Sequence, residues 1–162
     1  MVEIDEIDLH ILTLLHGDAS LTATELSKLV MLSIPAINKR IAKMISSGVI
    51  EKYTVIINPD IVGMRILAFV FLVLDSLESV GTLKEYVKNE GHVLECYAVS
   101  GEYDYLLKVR AQSIEDLNTQ IMSFKSIKGI VKTRTIIALD VFKQECSVLP
   151  RRKKVIKRNI EP

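Results

Sequence analysis

The chain has 162 residues, of which 49% are hydrophobic and 25% charged, and its formal net charge is +1. This length and composition predict a soluble globular protein that folds as one domain or as two small ones. No apolar run reaches the roughly 20 residues of a membrane-spanning helix, and the start is acidic where a signal peptide is basic, so we expect a cytoplasmic protein without a membrane partner.

Two short helices are predicted within residues 5–30. Asp5 can cap a helix in which apolar residues recur at helical spacing from Ile7 to Leu15, and Gly17 can end it. The stretch LTATEL has the form of a capping box, because the side chains of Thr22 and Glu25 can each bond to the other residue's backbone amide. The second helix therefore follows the first closely.

A third helix is predicted after Ser33, with Pro35 in its tolerant first turn and Gly48 at its end. When the residues are placed at about 100° steps, one face is apolar: Ile37, Ile41, Met44 and Ile45. The opposite face and its flanks carry no acidic residue and consist of Pro35, Ala36, Asn38, Lys39, Arg40, Ala42, Lys43 and Ser46. A merely solvated helix usually mixes both signs of charge, so an all-cationic face favours a polyanionic partner.

The second and third helices together have the lengths and the short connection of a helix-turn-helix. In that motif the N-terminal part of the second helix enters the major groove of DNA, and basic and capping groups hold phosphates. Their residue types suit phosphates, base edges or a thymine methyl, so the candidate contacts to double-stranded DNA are Ser33, Pro35, Ala36, Asn38, Lys39, Arg40 and Lys43. The alternative is a plain helical hairpin that does not contact DNA.

The pattern of apolar residues changes after the third helix. Weakly alternating, β-branched residues predict a strand from Val49 to Ile57, which Asn58 and Pro59 end. Beyond it we predict a strand at 65–75, a helix at 79–90, strands at 92–100 and 104–111, a helix at 113–127 and a strand at 129–142. This βαββαβ order is the ferredoxin-like pattern.

The predicted protein is therefore of the α+β class. It divides into a helix-turn-helix domain (1–50), a strand linker (51–62), a ferredoxin-like domain (63–145) and a basic tail (146–162). The first strand of the ferredoxin-like domain is apolar on both faces from Ile66 to Leu74, although helices cover only one face of such a sheet. A second subunit is the simplest cover for the other face.

A possible small-molecule site is carried by two stretches of the ferredoxin-like domain. In SGEYDYLLKV, Gly101 allows a turn between two strands, and Tyr103 and Asp104 follow it. In KTRTI, Thr133 and Thr135 share one face of a strand. A carboxylate and two hydroxyls suit the ammonium and carboxylate of an amino acid. Hairpin and strand propensity alone would also produce these residue types.

No catalytic constellation is visible in the sequence. The three histidines and two cysteines have no metal-ligand spacing, and the motifs of serine hydrolases, nucleotide-binding loops and zinc proteases do not occur. We therefore predict neither a cofactor nor a metal site, and no enzyme activity. The tail PRRKKVIKRNIEP is either a solvated extension or a source of phosphate contacts that depend on salt.

Four stretches stand in a specific order along the chain: IDEIDLHILTLL, KRIAKMISSGVIEKYTVIINPDIVG, ECYAVSGEYDYLLKV and GIVKTRTIIAL. Each is weakly specific alone, but the four at these separations are specific together. In them the chain resembles the leucine-responsive and asparagine-synthesis regulators, the Lrp/AsnC family of bacteria and archaea. The resemblance extends from about Ile4 to Phe142.

The resemblance implies a winged helix-turn-helix joined by a strand to a ferredoxin-like domain that dimerises through its sheet. It also implies octamers or similar rings, with an amino acid or related metabolite bound between dimers. The effector motif of the family falls on Gly101, Tyr103 and Asp104, with Thr133 and Thr135 as neighbours. The paired basic residues typical of the family's DNA-reading helix match Lys39 and Arg40.

Three positions depart from the family pattern. Met31 stands in the turn of the helix pair where Gly is common, and because Met resists positive φ the turn can differ. Ala19 and Ser20 stand where an arginine is common before the second helix. The basic tail extends past the usual end of the family.

Together these observations predict a sequence-specific transcriptional regulator in the cytoplasm, associated with the nucleoid. Its activity is expected to respond to a bound amino acid or related small metabolite. The alternative is an architectural protein that coats DNA with little sequence choice. A small enzyme on the ferredoxin-like half is a further alternative, which only Tyr103 and Asp104 favour.

Overall fold

The computed structural model describes residues 3–150, and its backbone contacts fall into two compact units. The first unit comprises residues 3–55 together with 143–150, and the second comprises residues 56–142. Of the predicted basic tail, residues 151–162 lie outside the described residues.

The first unit contains three helices: α1 (Glu6–Gly17), α2 (Ala23–Val30) and α3 (Ile34–Ser46). The predicted N-terminal caps of α1 and α2 are present. Asp5 accepts from the amide of Asp8 at 2.7 Å, and Thr22 and Glu25 form the reciprocal capping box. The helices enclose a small core of Ile11, Leu15, Leu26, Ile37 and Met44. Ile45, predicted on the apolar face of α3, is 48% exposed.

The turn between α2 and α3 retains the left-handed conformation despite its methionine. Met31 has φ 58° and ψ 43°, and its side chain is 88% exposed. The turn is closed by bonds from its neighbours, since the amide of Leu32 donates to the carbonyl of Ser27. Ser33 occupies the N-cap position of α3 with an extended backbone, but its hydroxyl accepts no capping hydrogen bond, so that predicted cap is absent.

The predicted strand at 49–57 is wrong. Residues 51–58 have no regular secondary structure, and β-branched side chains at its end are exposed, including Val55 (82%) and Ile56 (76%). A strand forms only where another strand accepts its hydrogen bonds, and no strand lies among residues 3–65. The strand propensity of these residues alone was therefore insufficient to predict a strand.

The second unit confirms the predicted βαββαβ order. Its elements are β1 (Ile66–Leu74), α4 (Ser79–Asn89), β2 (Val93–Ala98), β3 (Tyr105–Ala111), α5 (Ile114–Ser126) and β4 (Ile130–Ile137). The strands form an antiparallel sheet in the order β2-β3-β1-β4. Strand β4 ends five residues before the predicted Phe142, because its partner β1 begins at Ile66 and Leu139 beyond that point is 99% exposed.

The two faces of the sheet differ in their cover. Leu83 of α4 and Leu117 and Phe124 of α5 pack on the face that carries Ala68, Val70, Leu72, Leu107 and Val109, which we call the helix-covered face. The other face, here called the outer face, carries the half-buried Phe69 and Phe71, and cross-strand pairing adds Leu106, Lys108, Arg134 and Ile136 to it. Among the described helices, none is both long and apolar enough to span a membrane.

Candidate DNA interface and effector site

The predicted DNA-contacting residues lie mainly on the solvent side of the first unit. Ser33, Pro35, Asn38, Lys39 and Lys43 are exposed, while Ala36 and Arg40 are half-buried. The opposite face of α3 buries Ile37 and Met44 in the core, which fixes the outward direction of the polar side chains. One helix therefore presents a continuous cationic surface, which we call the α3 surface (Ser33, Pro35, Asn38, Lys39 and Lys43).

The three basic residues of α3 have different surroundings. Within residues 3–150, no carboxylate lies within ion-pair distance of Lys39 or Lys43. The guanidinium of Arg40 instead donates through Nη1 to Asp5 and to Asp8, each at 2.6 Å. The sequence grouped Arg40 with the other two as a candidate DNA contact, and these two carboxylate contacts distinguish it from them in the folded unit.

The Asp5 carboxylate is strongly bound in this arrangement. The Asp8 amide, and after it Arg40, hold the pKa of Asp5 below its ordinary value, although partial burial opposes them. The same carboxylates raise the pKa of Arg40, so the guanidinium is charged throughout the accessible pH range.

In the second unit, Asp104 joins the β2–β3 turn to the end of β1. Its Oδ2 accepts from the amide of Leu74 at 2.8 Å, and its own amide donates to the carbonyl of Leu72. Gly101, in the same turn, has φ +120°, a conformation that a side chain would strain. One oxygen of the carboxylate is thus used structurally, while the residue remains exposed.

Tyr103 lies beside the outer face. Its ring centroid is 5.2 Å from that of Phe71, and the ammonium of Lys132 lies 5.0 Å from its ring centroid. Lys132 also binds Glu102 at 2.7 Å, which lowers the pKa of the Glu102 carboxyl and raises the pKa of Lys132. Glu102 and Lys132 were not among the predicted site residues, although Lys132 shares the period-two face of Arg134.

The two predicted threonines lie on the other side of the sheet. Thr133 pairs with Leu72 and Thr135 with Val70, and directly opposed residues of antiparallel strands point to the same face. Both threonines are therefore on the helix-covered face, away from Tyr103. Within one subunit the five predicted effector residues are not brought together on one face.

A cavity of about 370 Å³ lies beside Asp104. Its lining combines apolar and acidic residues: Leu74, Asp75, Ser76, Leu77, Val80, Val99, Asp104 and Tyr105. The hydroxyl of Ser79 donates to Asp75 at 2.7 Å and, with Ser76, lowers the pKa of that carboxyl, so Asp75 is anionic at neutral pH. Sequence patterns did not predict a role for the residues between β1 and α4, where the only signal was a polar loop after an apolar strand.

Comparison with known proteins assigns both units. Residues 4–51 match the model of a winged helix-turn-helix DNA-binding domain, and residues 67–148 match the Lrp/AsnC ligand binding domain. The chain belongs to the Lrp/AsnC family of transcriptional regulators. The family and fold predicted from the sequence are thereby confirmed, as is the prediction of a DNA-binding regulator.

Similar Lrp/AsnC proteins match over nearly their whole length. The HTH-type transcriptional regulator FL11 of Pyrococcus abyssi is 35% identical over 143 residues, which cover 88% of this chain and 94% of FL11. Escherichia coli AsnC superposes with a TM-score of 0.85 at 27% identity, covering 92% of this chain and all of AsnC. A feast or famine regulatory protein of M. tuberculosis, solved with L-methionine, superposes with a TM-score of 0.81 at 28% identity, covering 91% and 100% of the two chains.

Proposed function

We propose that this Lrp/AsnC protein binds double-stranded DNA through the α3 surface and adjusts transcription in response to an amino acid. The observation that carries the DNA part is the exposure of Lys39 and Lys43, neither of which has an ion-pair partner within residues 3–150. Unpaired ammonium groups are available for phosphates, and Asn38 one residue earlier suits an adenine edge. In a dimer, two such helices would take half-sites about one helical turn, or a multiple of it, apart.

The double substitution Lys39→Ala/Lys43→Ala tests the α3 surface. We expect weaker binding to DNA from upstream of the protein's own gene, and a salt slope lower by about one for each lost phosphate contact. Fluorescence anisotropy over a range of salt concentrations measures both quantities. The matched control is Lys125→Ala/Lys128→Ala, which removes the same charge from exposed positions of the second unit. An unchanged affinity and slope for the α3 variant would refute the proposed surface.

For the effector, the proposal rests on Asp104 and the cavity beside it. One carboxylate oxygen bonds to Leu74, which leaves the other for an ammonium group, and Leu77, Val80 and Val99 can surround an aliphatic side chain. The relative solved with L-methionine supports an amino acid in this role. The effector would bind where dimers meet and bias their assembly, with a coupling of roughly 1–3 kcal/mol to DNA binding.

Asp104→Asn separates the effector role from the structural one. Asn keeps an oxygen that can accept from the Leu74 amide but loses the negative charge, so we expect ordinary stability with a lost or weakened response. The measurement is the shift in DNA-binding midpoint produced by L-methionine and then by a pool of amino acids. Glu85→Gln removes an exposed charge of α4 and serves as the control. A full response in the Asp104 variant would remove this residue from the site.

The proposal includes self-association, with a second copy on the outer face and dimers assembled further into an octamer. The half-buried Phe69 and Phe71 supply the apolar surface for the first contact. Sedimentation equilibrium of the full chain tests it. The protein would act in the cytoplasm on nucleoid DNA, without catalysis.

A further inference from the structure

We propose that Arg40 is a positioning residue, which fixes the orientation of the DNA-reading helix and does not itself contact DNA. The inference deepens the proposed function of α3 and rests on it. Arg40 lies directly after Lys39 and three residues before Lys43, so the sequence makes the three look equivalent. Their contacts in the folded unit separate them.

The guanidinium of Arg40 joins α3 to the start of α1. Nη1 donates to Oδ2 of Asp5 and to Oδ1 of Asp8, at 2.6 Å in both cases. The Asp8 side chain is only 2% exposed, while those of Arg40 and Asp5 are 27% and 50% exposed. The pair with Asp8 is thus enclosed by protein, and that with Asp5 continues it to the surface.

The two carboxylates are themselves held rigidly. Asp5 accepts from the Asp8 amide at 2.7 Å, and Asp8 accepts from the Asp5 amide at 3.4 Å, as the capping box of α1. Arg40 is therefore tied to the defined end of a helix and not to a mobile side chain. This contact sets the rotation of α3 about its own axis relative to α1, and hence the direction in which Lys39 and Lys43 point.

Turning Arg40 toward a phosphate would leave the buried Asp8 carboxylate without its cation. Breaking a buried pair in this way is strongly unfavourable, because an uncompensated charge stays inside the protein. Arg40 also neutralises Asp5, which would otherwise repel the phosphates near the cationic surface. The pair therefore supports DNA binding in two ways without supplying a DNA contact.

The test uses Arg40→Gln, Asp8→Asn and the double variant, which has the same net charge as the wild type. We expect each single substitution to weaken binding to the upstream DNA by about 2- to 30-fold, the range for residues that act without touching the ligand. Because both changes remove the same pair, the double variant should be little weaker than either single one. The slope of log affinity against log salt concentration should differ from that of the wild type by less than one per subunit.

Random DNA of the same length separates positioning from a general loss of structure. Non-specific affinity depends on charge more than on helix orientation, so the charge-conserving double variant should bind random DNA like the wild type while losing preference for the upstream site. Circular dichroism at the assay temperature confirms folding. If Asp8→Asn does not fold, Asp5→Asn replaces it, since Asn also caps helices.

The opposite pattern would overturn the inference. A salt slope lower by about one per subunit in Arg40→Gln, together with unchanged DNA affinity in Asp8→Asn and Asp5→Asn, would make Arg40 a phosphate contact. Failure of the proposed function has a different signature, because then the wild type itself would show no preference for the upstream DNA. In that case the positioning role falls with it.

Discussion

The proposed DNA-binding surface and the proposed effector region differ in how far apart their residues lie along the chain. The α3 surface comes from a single stretch between Ser33 and Lys43. The effector region draws on the end of β1, the β2–β3 turn and the start of β4, so residues such as Leu74, Asp104 and Lys132 meet only through strand pairing. A surface of the first kind depends on one helix, whereas one of the second kind depends on a whole sheet.

This difference predicts where each unit is vulnerable. In the first unit, single changes to exposed residues should alter binding with little effect on folding. In the second unit, the cavity beside Asp104 should be sensitive to substitutions that touch neither the cavity nor a ligand, because they shift the strands and helices that form it.

Gly129→Ala should have the largest effect on stability. Gly129 has φ +96°, and a β-carbon at this position would lie 2.0 Å from the hydroxyl oxygen of Ser79 in α4. The strained backbone costs about 1–2 kcal/mol and the overlap about 1–3 kcal/mol, so the free energy of unfolding should fall by about 2–5 kcal/mol. Urea denaturation of the full chain measures this loss.

Gly91→Ala provides the matched control for that substitution. Gly91 lies in the same unit, its φ is not positive, and apart from its chain neighbours no heavy atom lies within 4 Å of the place that a β-carbon would take. The substitution should therefore leave stability nearly unchanged. Equal denaturation midpoints for the two variants would show that the contact between the start of β4 and α4 does not hold the effector side of the unit together.

Apart from the hydroxyl cap of Ser33, sequence patterns predicted the local features of both units, and they failed where distant partners decide. The capping boxes of α1 and α2 use residues three apart, so Asp5 and Thr22 could be assigned from the sequence alone. The strand predicted at 49–57 does not form, because strand propensity cannot provide a neighbouring strand to pair with. The sequence could not show that Thr133 and Thr135 lie on the opposite face of the sheet from Tyr103 within one subunit, because only the register of β1 and β4 reveals which face they share.

Single residues of the candidate sites show the same limit of sequence patterns. Helical periodicity sufficed to place Lys39 and Lys43 outside and Ile37 inside. It could not reveal that Arg40 is bonded to two carboxylates more than 30 residues earlier in the chain, because no local pattern encodes that contact. The orientation of one helix against another is a tertiary property.

Met31→Gly tests the local kind of feature and should have a smaller, opposite effect. Met31 holds the left-handed φ of 58° with an exposed side chain, so its replacement relieves strain and loses little packing. The relief of about 1–2 kcal/mol is partly offset by the greater freedom of Gly in the unfolded chain, about 0.5–1 kcal/mol. We expect a net stabilisation between about 0 and about 1.5 kcal/mol, measured by thermal denaturation.

The control for this turn is Met31→Ala, which removes the side chain but keeps the strain. It should leave the denaturation midpoint where it is in the wild type. If Ala stabilised the protein as much as Gly, the side chain and not the backbone conformation would be the unfavourable feature. The turn would then be an ordinary one that happens to lack glycine.

Acid titration of Asp5→Asn should give the smallest effect, and it returns to the contact between α1 and α3. The pKa of Asp5 is lowered in the folded protein from an ordinary value of 3.8, so its ionised form contributes stability above that pH. This contribution is lost as the pH falls through the lower, folded-state pKa. The difference in free energy of unfolding between wild type and Asp5→Asn should therefore be constant near neutrality and shrink below pH 3.8.

Arg40→Gln, titrated in parallel, divides this contribution between its two sources. The Asp8 amide is the largest single cause of the lowered pKa, and Arg40 lowers it further through a hydrogen bond and its charge, so part of the Asp5→Asn difference should persist when it is measured in the Arg40→Gln background. Its disappearance there would mean that the ion pair, and not the helix cap, lowers the pKa of Asp5. The α1–α3 contact would then be chiefly electrostatic, and raising the salt concentration alone should loosen it.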